Sequence, residues 1–437
     1  MEFKNYARNA LRETPRYDYV GRWRINYLAF KGPEGSELSP LVMLGGAFQN
    51  FNSFKYCLEH LLQVAPVIMV DLPSLGENEQ LSPELGMEDL SDLLHQWLVK
   101  AGVHKVSLMG LSLGSVIAST FAYKYPEQTD KLIVTGILTK PRKSWRMLLE
   151  ESLRTLDEGK MDEFGQAVVL YLVNHARLLE TEISDTTRRL FHRQMKTFNA
   201  NDQDRYRINA RRLLEIEGIL GYPSCPVLVA TGEYDNFTMP FENAEFALRC
   251  PNSTFALIKE ADHVAQLERR EAAMTMFAGF LRGDDLRLHQ GIQVYPRGTY
   301  EAMEHRGEPR FIPCNPHAQV VSFSPVDGSI AVDIPVQVHD MNFFGCLLTY
   351  EQKGFSLAEH SRDLILCLEG SPVRIELLVF EHSENTLRCL FKHGSFDTAY
   401  ELKALLEDEA FFRCRYAPKD QEVPEELGQV LRIYRAG

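Results

Sequence analysis

The chain has 437 residues, of which 45% are hydrophobic and 24% are charged. These fractions are close to the average of globular proteins and exclude a disordered, collagen-like or low-complexity chain. The length is typical of two or three domains. Lys and Arg number 47 against 60 Asp and Glu, a net charge of −13. Because such a surface repels phosphate backbones, we expect no DNA or RNA partner.

The N-terminal segment and the apolar runs predict a cytoplasmic protein without a membrane span. The opening MEFKNYARNALRETPRYDYV lacks the apolar core of a secretory signal, and no run approaches about 18 apolar residues. The eight cysteines form no C-x-x-C pair, so no zinc site is expected. We interpret them as buried thiols in a reducing compartment. Catalysis is expected to need no metal and no cofactor.

Strands and helices alternate through the first part of the chain. Apolar strands are predicted at Leu41–Leu44, Val67–Leu72, Val106–Met109, Lys131–Leu138, Val227–Thr231 and, as the last, Thr254–Ile258, with helices at Glu88–Lys100 and Ser115–Tyr125. Tyr19–Phe30 alternates and precedes turn residues at 31–35, which predicts a two-stranded ribbon leading into Leu41–Leu44. Alternating strands and helices predict an α/β fold with a mostly parallel sheet covered on both faces.

A long helical stretch interrupts this alternation at about residues 139–222. It is charged and lacks strand signals, and helices are predicted at Trp145–Leu156, Met161–Leu172 and Thr186–Lys196. An insertion of this length between two sheet strands predicts a lid over a site. A helical layer without a role in the site is the alternative.

The chain changes character after Leu281. The stretch from Gly283 to Pro316 is rich in Gly, Pro, Arg and Glu and is interpreted as a linker. Short strands are predicted at Gln319–Phe323, Ser329–Val338, Cys346–Tyr350, Asp363–Leu368, Val373–Glu381 and Thr386–Lys392, followed by a closing helix at Asp397–Glu409. Closely spaced short strands predict a small all-β barrel. We therefore predict two domains, 1–283 and 284–437.

A serine lies between a predicted strand and a predicted helix, in Gly-Leu-Ser-Leu-Gly at 110–114. A sharp strand-to-helix turn strains the backbone of Ser112, exposes its hydroxyl and requires small neighbours. A serine nucleophile also needs a base, and the base needs an orienting acid. Asp235 and His263 each follow a predicted strand, where open α/β sheets place their sites. The predicted catalytic residues are therefore Ser112, Asp235 and His263.

Two backbone amides are expected to bind the oxyanion of an acyl-transfer reaction. One is the amide of Leu113, directly after the nucleophile. The other comes from the glycine-containing loop after the first parallel strand, at Ala47. Glu233 and Asp262 lie close to the predicted triad in sequence and remain alternative acids.

These motifs together resemble the α/β-hydrolase superfamily over about residues 15–283. The resemblance rests on Leu-Gly-Gly-Ala-Phe at 44–48, Asp-Leu-Pro-Ser-Leu-Gly at 71–76, the serine turn at 110–114, the acid loop at 231–235 and Asp-His at 262–263. It implies a serine hydrolase that acts on carboxylic esters or thioesters. Gly45 stands where many relatives have a histidine, and this position carries no proton in the reaction.

A narrower resemblance concerns the first loop and the helical insertion. Gly-Gly-Ala-Phe-Gln-Asn-Phe-Asn-Ser-Phe at 45–54, with Asp-Leu-Pro at 71–73, is similar to the acyltransferase family that joins two 3-hydroxyacyl chains into the lipid precursor of rhamnolipids. This resemblance implies acyl thioester donors and a hydroxy-acid acceptor. Whether water or a hydroxy acid releases the acyl group stays open.

A second set of motifs begins ahead of the first predicted barrel strand and continues about thirty residues later. Arg306 and Arg310 form an R-x-x-x-R pair, and Asp-Met-Asn-Phe-Phe-Gly follows at 340–345. Two guanidinium groups can hold phosphates bidentately and stack on guanine. With the barrel pattern, these residues resemble the PilZ domain over about 300–410. The resemblance implies that cyclic di-GMP binds to Arg306, Arg310, Asp340, Asn342 and Gly345, where Asn342 replaces the family's serine.

Three hypotheses for the whole chain follow. The first is a serine hydrolase or acyltransferase that takes an acyl ester or thioester and is regulated by cyclic di-GMP. The second is a catalytically silent adaptor that responds to cyclic di-GMP. The third is an enzyme whose barrel serves only to form a homodimer.

Overall fold

A mostly parallel sheet forms the centre of the first domain. The structure, a computed structural model, describes residues 1–7, 9–55, 57–181, 183, 185–323, 327–351 and 363–417, so the predicted second domain continues outside them. The strands of this sheet are β1 (Arg16–Val20), β2 (Trp23–Phe30), β3 (Leu41–Leu44), β4 (Val67–Asp71), β5 (Val106–Leu111), β6 (Thr129–Thr135), β7 (Val227–Gly232), β8 (Ser253–Ile258) and β9 (Ile292–Tyr295). Their spatial order is β1-β2-β4-β3-β5-β6-β7-β8-β9, and β3 to β8 are parallel.

Helices cover both faces of this sheet. They are α1 (Leu58–Leu61), α2 (Met87–Lys100), α3 (Leu113–Lys124), α4 (Lys143–Asp157), α5 (Met161–Leu172), α6 (Leu178–Thr181), α7 (Asp185–Lys196), α8 (Ala200–Leu214), α9 (Pro240–Arg249), α10 (Ala265–Glu268) and α11 (Arg270–Arg282). Alternate residues of β3 enter two cores: Val42 packs with Trp97 of α2, and Met43 packs with Phe277 of α11. Because both faces are buried, the strands are apolar throughout. The predicted fold class is confirmed.

The N-terminal ribbon differs from its prediction. The hairpin turn lies at Gly21-Arg22, where Val20 pairs with Trp23 and Gly21 has φ of +57°. The turn residues at 31–35 do not join two paired strands, because β2 pairs antiparallel with β4 rather than with β3. The predicted two-stranded ribbon is therefore present as β1 and β2, but its turn lies at Gly21-Arg22 rather than at 31–35.

The predicted linker contains part of the first sheet. Ile292–Tyr295 forms β9, which pairs antiparallel with β8 and adds an edge strand after Thr254–Ile258. In the same stretch, the Tyr300 hydroxyl accepts the Phe255 amide at 2.9 Å, which ties this segment to β8. The prediction that Thr254–Ile258 is the last strand was therefore wrong.

The second domain is a closed antiparallel barrel. Its elements are β10 (Arg310–Pro313), β11 (His317–Phe323), β12 (Ile330–Asn342), β13 (Gly345–Thr349), β14 (Leu364–Leu368), β15 (Arg374–His382), β16 (Thr386–Phe391), α12 (Phe396–Glu407) and β17 (Phe412–Tyr416). Within the described residues, six strands close in the order β11-β14-β15-β16-β13-β12, and β10 extends from β12 to β17. Alternate residues of β12 point inward, and α12 contributes the buried Leu402 to this core. The predicted barrel and its helix are confirmed, whereas β17 was not predicted and β10 lies in the stretch predicted as a linker.

The helical insertion lies between the first sheet and the barrel. Leu170 of α5 belongs to the barrel core. Lys392, directly after β16, pairs with Glu151 of α4 at 3.3 Å. On the other side of the insertion, the Asn209 side chain of α8 donates to the Ser74 carbonyl oxygen of the first domain at 2.8 Å. The insertion therefore contacts both domains.

Candidate active site

Ser112 lies at the sharp turn between β5 and α3. Its φ of +51° and ψ of −117° fall in a region that non-glycine residues rarely adopt. A Cβ on Gly110 would lie 2.4 Å from the Gly114 carbonyl oxygen, and one on Gly114 would lie 2.4 Å from the Leu44 oxygen. Both obstacles are backbone atoms, so only glycine fits at these positions. The turn thus holds Ser112 at the N-terminus of α3, above the carboxyl end of the sheet.

The structure brings the three predicted catalytic side chains together. The Ser112 Oγ lies 3.0 Å from Nε2 of His263, and Nδ1 of His263 lies 2.9 Å from Oδ2 of Asp235. The side chains of His263 and Asp235 are 4% and 1% exposed. The three residues come from the ends of β5, β7 and β8, which are separated by as many as 151 positions in sequence.

Five donors converge on the Asp235 carboxylate. Oδ1 accepts the amides of Phe237 and Thr238, both at 2.9 Å. Oδ2 accepts His263 and the hydroxyls of Thr231 at 2.7 Å and Thr238 at 2.8 Å. Burial acts against the ionised form, but the His263 charge and these hydrogen bonds together lower the pKa of Asp235. The arrangement therefore holds an ionised carboxylate against the imidazole.

The Asp235 carboxylate raises the pKa of the His263 imidazole. Burial alone would lower the pKa of His263, but the charge and hydrogen bond of Asp235 outweigh it and raise the pKa above its ordinary value. With Nδ1 facing the carboxylate, the proton of the neutral ring belongs on Nδ1. The Nε2 lone pair then faces the Ser112 hydroxyl, which is the arrangement a general base needs.

The two alternative acids, Glu233 and Asp262, have partners other than the His263 ring. Glu233 pairs with Lys259 and accepts the Glu260 amide at 2.9 Å. Asp262 accepts the amides of Asn174 at 2.8 Å and Val264 at 3.0 Å. In the described part of the chain, Asp235 is the carboxylate that contacts the His263 ring.

The predicted oxyanion amides flank Ser112. Leu113 begins α3, so its amide has no intrahelical acceptor. Ala47 follows Gly46, and the Gly46 amide donates to the Gln49 side chain at 2.7 Å. The Gly46 backbone lies close to Ser112, because a Cβ added at Gly46 would lie 3.2 Å from the Ser112 Cβ. Neither the Ala47 nor the Leu113 amide donates to another described residue.

A cavity of about 560 Å³ opens at Ser112 and His263. Most of its apolar wall comes from the helical insertion, through Leu149, Val168, Leu172, Met195, Tyr206 and Leu213. Sequence reasoning placed a lid here but did not identify Phe48 or Tyr206, whose stacked rings lie 5.7 Å apart in this wall. Their aromatic character was the available signal, and only packing brings them together.

The five residues of the second predicted site cluster at the start of the barrel. Arg310 pairs with Asp340, and Nε lies 3.1 Å from Oδ1. The Arg306 guanidinium lies over the Tyr416 ring at 4.9 Å. Asn342 Oδ1 accepts the amides of Phe344 at 2.9 Å and Gly345 at 3.0 Å, which closes the β12–β13 turn.

Gly345 itself is required by strand packing. A Cβ at this position would lie 2.3 Å from the Cys389 carbonyl oxygen of β16. The turn therefore needs glycine for the barrel to close, whatever it binds.

A cleft of about 310 Å³ joins this cluster to the first domain. The segment Glu304–Arg310, which we call the arginine arm, forms one wall together with Asn342. Arg142, Trp145 and Phe237 of the first domain line the other wall, and sequence reasoning identified none of these three. Their position in the cleft depends on how the insertion packs against the barrel, which no local pattern reveals.

In the described residues, no helix is both long enough and apolar enough to cross a membrane, and no group of three or more His, Cys, Asp or Glu could hold a metal ion.

The sequence matches a known family over most of the first domain. A family profile described as alpha/beta hydrolase fold matches residues 39–270, more than half of the chain. The chain therefore belongs to the α/β-hydrolase fold family. This result confirms the broader of the two resemblances for the first domain.

Individual relatives are distant. The abhydrolase domain-containing protein abhd-5.2 of Caenorhabditis elegans is 28% identical over 99 residues, which cover only 22% of each chain. A 2-hydroxy-6-oxononadienedioate/2-hydroxy-6-oxononatrienedioate hydrolase of Paraburkholderia phymatum is 24% identical over 226 residues, 49% of this chain and 76% of that protein. MGS-M2, an alpha/beta hydrolase enzyme from a Medee basin deep-sea metagenome library, has a crystal structure with a TM-score of 0.55 at 17% identity, covering 62% of this chain and 98% of its own. That structural likeness shows the fold.

Proposed function

We propose that the protein is a serine hydrolase that cleaves carboxylic esters or thioesters through Ser112, His263 and Asp235. The observation that carries this proposal is the continuous path of contacts from the Ser112 hydroxyl through both ring nitrogens of His263 to Asp235, at 3.0 and 2.9 Å. The hydrolase relatives support the same reaction class.

The chemistry follows from the positions of these atoms. His263 Nε2 takes the Ser112 proton while Oγ attacks the acyl carbonyl. The amides of Ala47 and Leu113 stabilise the oxyanion, and Asp235 stabilises the imidazolium that forms. His263 then returns the proton to the leaving alcohol or thiol, which departs from the acyl-enzyme. Water, deprotonated by the same imidazole, then attacks the acyl carbon; the bond to Ser112 Oγ breaks, Oγ takes the proton back from His263, and the acid is released.

The cavity favours a substrate with an apolar acyl chain. The wall opposite Ser112 is formed by side chains such as Val168 and Leu172 of α5 and Met195 of α7. Each buried methylene contributes about 0.8 kcal/mol to binding. The value of kcat/KM is therefore expected to increase with acyl length until the cavity is filled. Transfer to a hydroxy acid, as the narrower resemblance implies, uses the same acyl-enzyme and differs only in the acceptor.

The test is a panel of acyl esters and acyl thioesters, each assayed with and without a 3-hydroxy acid. The Ser112→Ala variant is expected to lose at least about 10³-fold in kcat. Ser119→Ala is the matched control, because this serine lies on α3 and bonds only within the helix, to the Val116 carbonyl at 3.0 Å. An active-site fluorophosphonate should label the native chain and not Ser112→Ala. Full turnover by Ser112→Ala, or absence of labelling, would exclude the proposal and favour the silent adaptor.

We further propose that the barrel is PilZ-like and binds cyclic di-GMP at the arginine arm. Arg306 and Arg310 lie on one wall of a cleft beside Asn342, and two guanidinium groups match the two phosphates of such a ligand. Calorimetry with cyclic di-GMP should give a heat of binding that is lost in Arg306→Ala/Arg310→Ala. The control is Arg374→Ala, since Arg374 lies on β15, does not line the cleft, and donates to the backbone carbonyls of Ser371 and Pro372. If the native chain gives no heat, the barrel does not bind this ligand, and sedimentation then tests the homodimer hypothesis.

A further inference from the structure

Phe237 is the described residue that lines both the catalytic cavity and the cleft beside the arginine arm. On the catalytic side its ring meets the His263 ring edge-to-face, with centroids 4.7 Å apart. On the cleft side it packs against Trp145 at 5.2 Å. This half-buried side chain therefore lies between the two spaces and contacts a residue of each.

The backbone of Phe237 ties the same residue to the catalytic acid. Its amide donates to Asp235 Oδ1 at 2.9 Å, and its carbonyl accepts Arg142 Nη2 at 3.0 Å. Arg142 lines the cleft and pairs with Glu242 at 2.9 Å. A ligand that contacts Arg142 or the Phe237 ring would thus act on the loop that holds Asp235.

The arginine arm is also anchored directly in the first domain. Glu308 lies between the two arginines and is buried, and its Oε1 accepts Asn174 Nδ2 at 2.9 Å. The Asn174 amide donates to Asp262 at 2.8 Å, and its side chain also donates to the Tyr234 carbonyl at 3.0 Å. Asp262 and Tyr234 directly precede His263 and Asp235 in the chain. The arm is therefore connected by hydrogen bonds to both loops that carry the base and the acid.

We propose that Phe237 and the Glu308–Asn174 hydrogen bond couple ligand binding in the cleft to the position of His263, so that cyclic di-GMP changes the turnover of the enzyme. This inference rests on the proposed function of both domains. A ligand held by Arg306 and Arg310 rearranges the arm, and the arm cannot move without disturbing Glu308. The coupling acts only if the two arm positions hold the His263 ring differently, since a ligand shifts an equilibrium by its differential affinity alone.

The central variant is Phe237→Leu, which keeps an apolar wall but removes the ring that meets His263 and Trp145. Phe280→Leu is the matched control, because Phe280 is also half-buried in the first domain and lines neither space. Glu308→Leu is the second variant; it removes the acceptor for Asn174 at 2.9 Å together with the charge that pairs with Arg177 at 3.1 Å. Three quantities are measured on the full chain: the Kd of cyclic di-GMP by calorimetry, deuterium uptake of residues 231–239, and kcat/KM for an ester with and without saturating ligand.

In the native chain we expect binding, a ligand-dependent change in deuterium uptake over 231–239, and a ratio of kcat/KM with and without ligand that departs from one by about fivefold or more. Phe237→Leu should bind within about threefold of the native Kd while its ratio approaches one. Glu308→Leu, which breaks the hydrogen bond to Asn174, should lose part of the ratio, and Phe280→Leu should match the native chain. A Phe237→Leu ratio equal to the native one would overturn the inference.

The remaining outcomes separate this inference from the proposals beneath it. Binding that changes neither deuterium uptake nor turnover overturns the coupling and leaves both the hydrolase and the ligand site standing. Absence of binding overturns the ligand site and the coupling together, while ester turnover is unaffected. Ligand-dependent uptake that is present in the native chain and lost in Phe237→Leu supports the coupling even if no ester in the panel is cleaved.

Discussion

Replacing Asp235 with asparagine perturbs the proposed catalytic residues without changing their size. The native carboxylate accepts five hydrogen bonds and donates none. An asparagine amide has one oxygen and one NH2 group. Its oxygen is expected to take the Oδ1 position, because the amides of Phe237 and Thr238 offer only donors there. The NH2 group then occupies the Oδ2 position and faces His263 Nδ1.

The consequence is a change of tautomer. Because the new NH2 group donates to Nδ1, the ring proton of His263 moves to Nε2, and Nε2 can no longer accept the proton of Ser112. A base in the wrong tautomer costs about 10⁴-fold in kcat in serine enzymes of this kind, equivalent to about 5.5 kcal/mol of transition-state stabilisation. Loss of the carboxylate also removes the charge that raises the pKa of His263, so the acid limb of the pH profile should move to lower pH.

The assay is steady-state hydrolysis of a p-nitrophenyl ester from about pH 5 to 9, with circular dichroism to verify the fold. Glu233→Gln is the control, because Glu233 was the alternative acid nearest in sequence and pairs with Lys259 instead. We expect the control to stay within about threefold of the native chain. Less than tenfold loss in Asp235→Asn, or an equal loss in Glu233→Gln, would refute the proposed role of Asp235.

Three further predictions follow from the same contacts. The native kcat/KM should rise with pH as His263 loses its proton, with a midpoint above the ordinary histidine value of about 6.5, since its pKa is raised; a lower midpoint in the pH–rate profile would contradict this. Gly114→Ala should lower the free energy of unfolding by about 1–3 kcal/mol, because its Cβ would lie 2.4 Å from a backbone oxygen of β3; urea unfolding checks this against Gly218→Ala, where nothing lies within 4 Å. Burial, together with the charge of the neighbouring Asp262, raises the pKa of Glu268. The folded protein therefore keeps a proton on Glu268 that the unfolded chain loses above about pH 4.3. The free energy of unfolding of the native chain, measured with urea, should therefore fall relative to that of Glu268→Gln as the pH rises from about 5 to 8. The same pH dependence in both proteins would contradict the raised pKa of Glu268.

Several features of the fold could be read from local sequence. The six barrel strands and the sharp strand-to-helix turn at Ser112 were predicted correctly. Strand periodicity, turn residues and the glycines around a strained turn are signals that lie within a few positions of the chain. The hairpin at Gly21 was missed because the stronger Gly and Pro signals lie at 31–35. Strand β9 was missed because four residues at a sheet edge owe their conformation to the partner strand β8.

The sequence by itself indicated the alternation of strands and helices, the barrel strands, and the candidate residues Ser112, His263, Arg306 and Arg310. Asp235 was predicted from the sequence, but only the tertiary structure separates it from the alternative acid Glu233: Thr231 and Thr238 hold Asp235 against the His263 ring, while Glu233 pairs with Lys259. The tertiary structure alone also created the cleft shared by the arginine arm and Phe237. Such contacts join segments far apart in the chain, and their geometry depends on how helices and strands pack rather than on any local pattern.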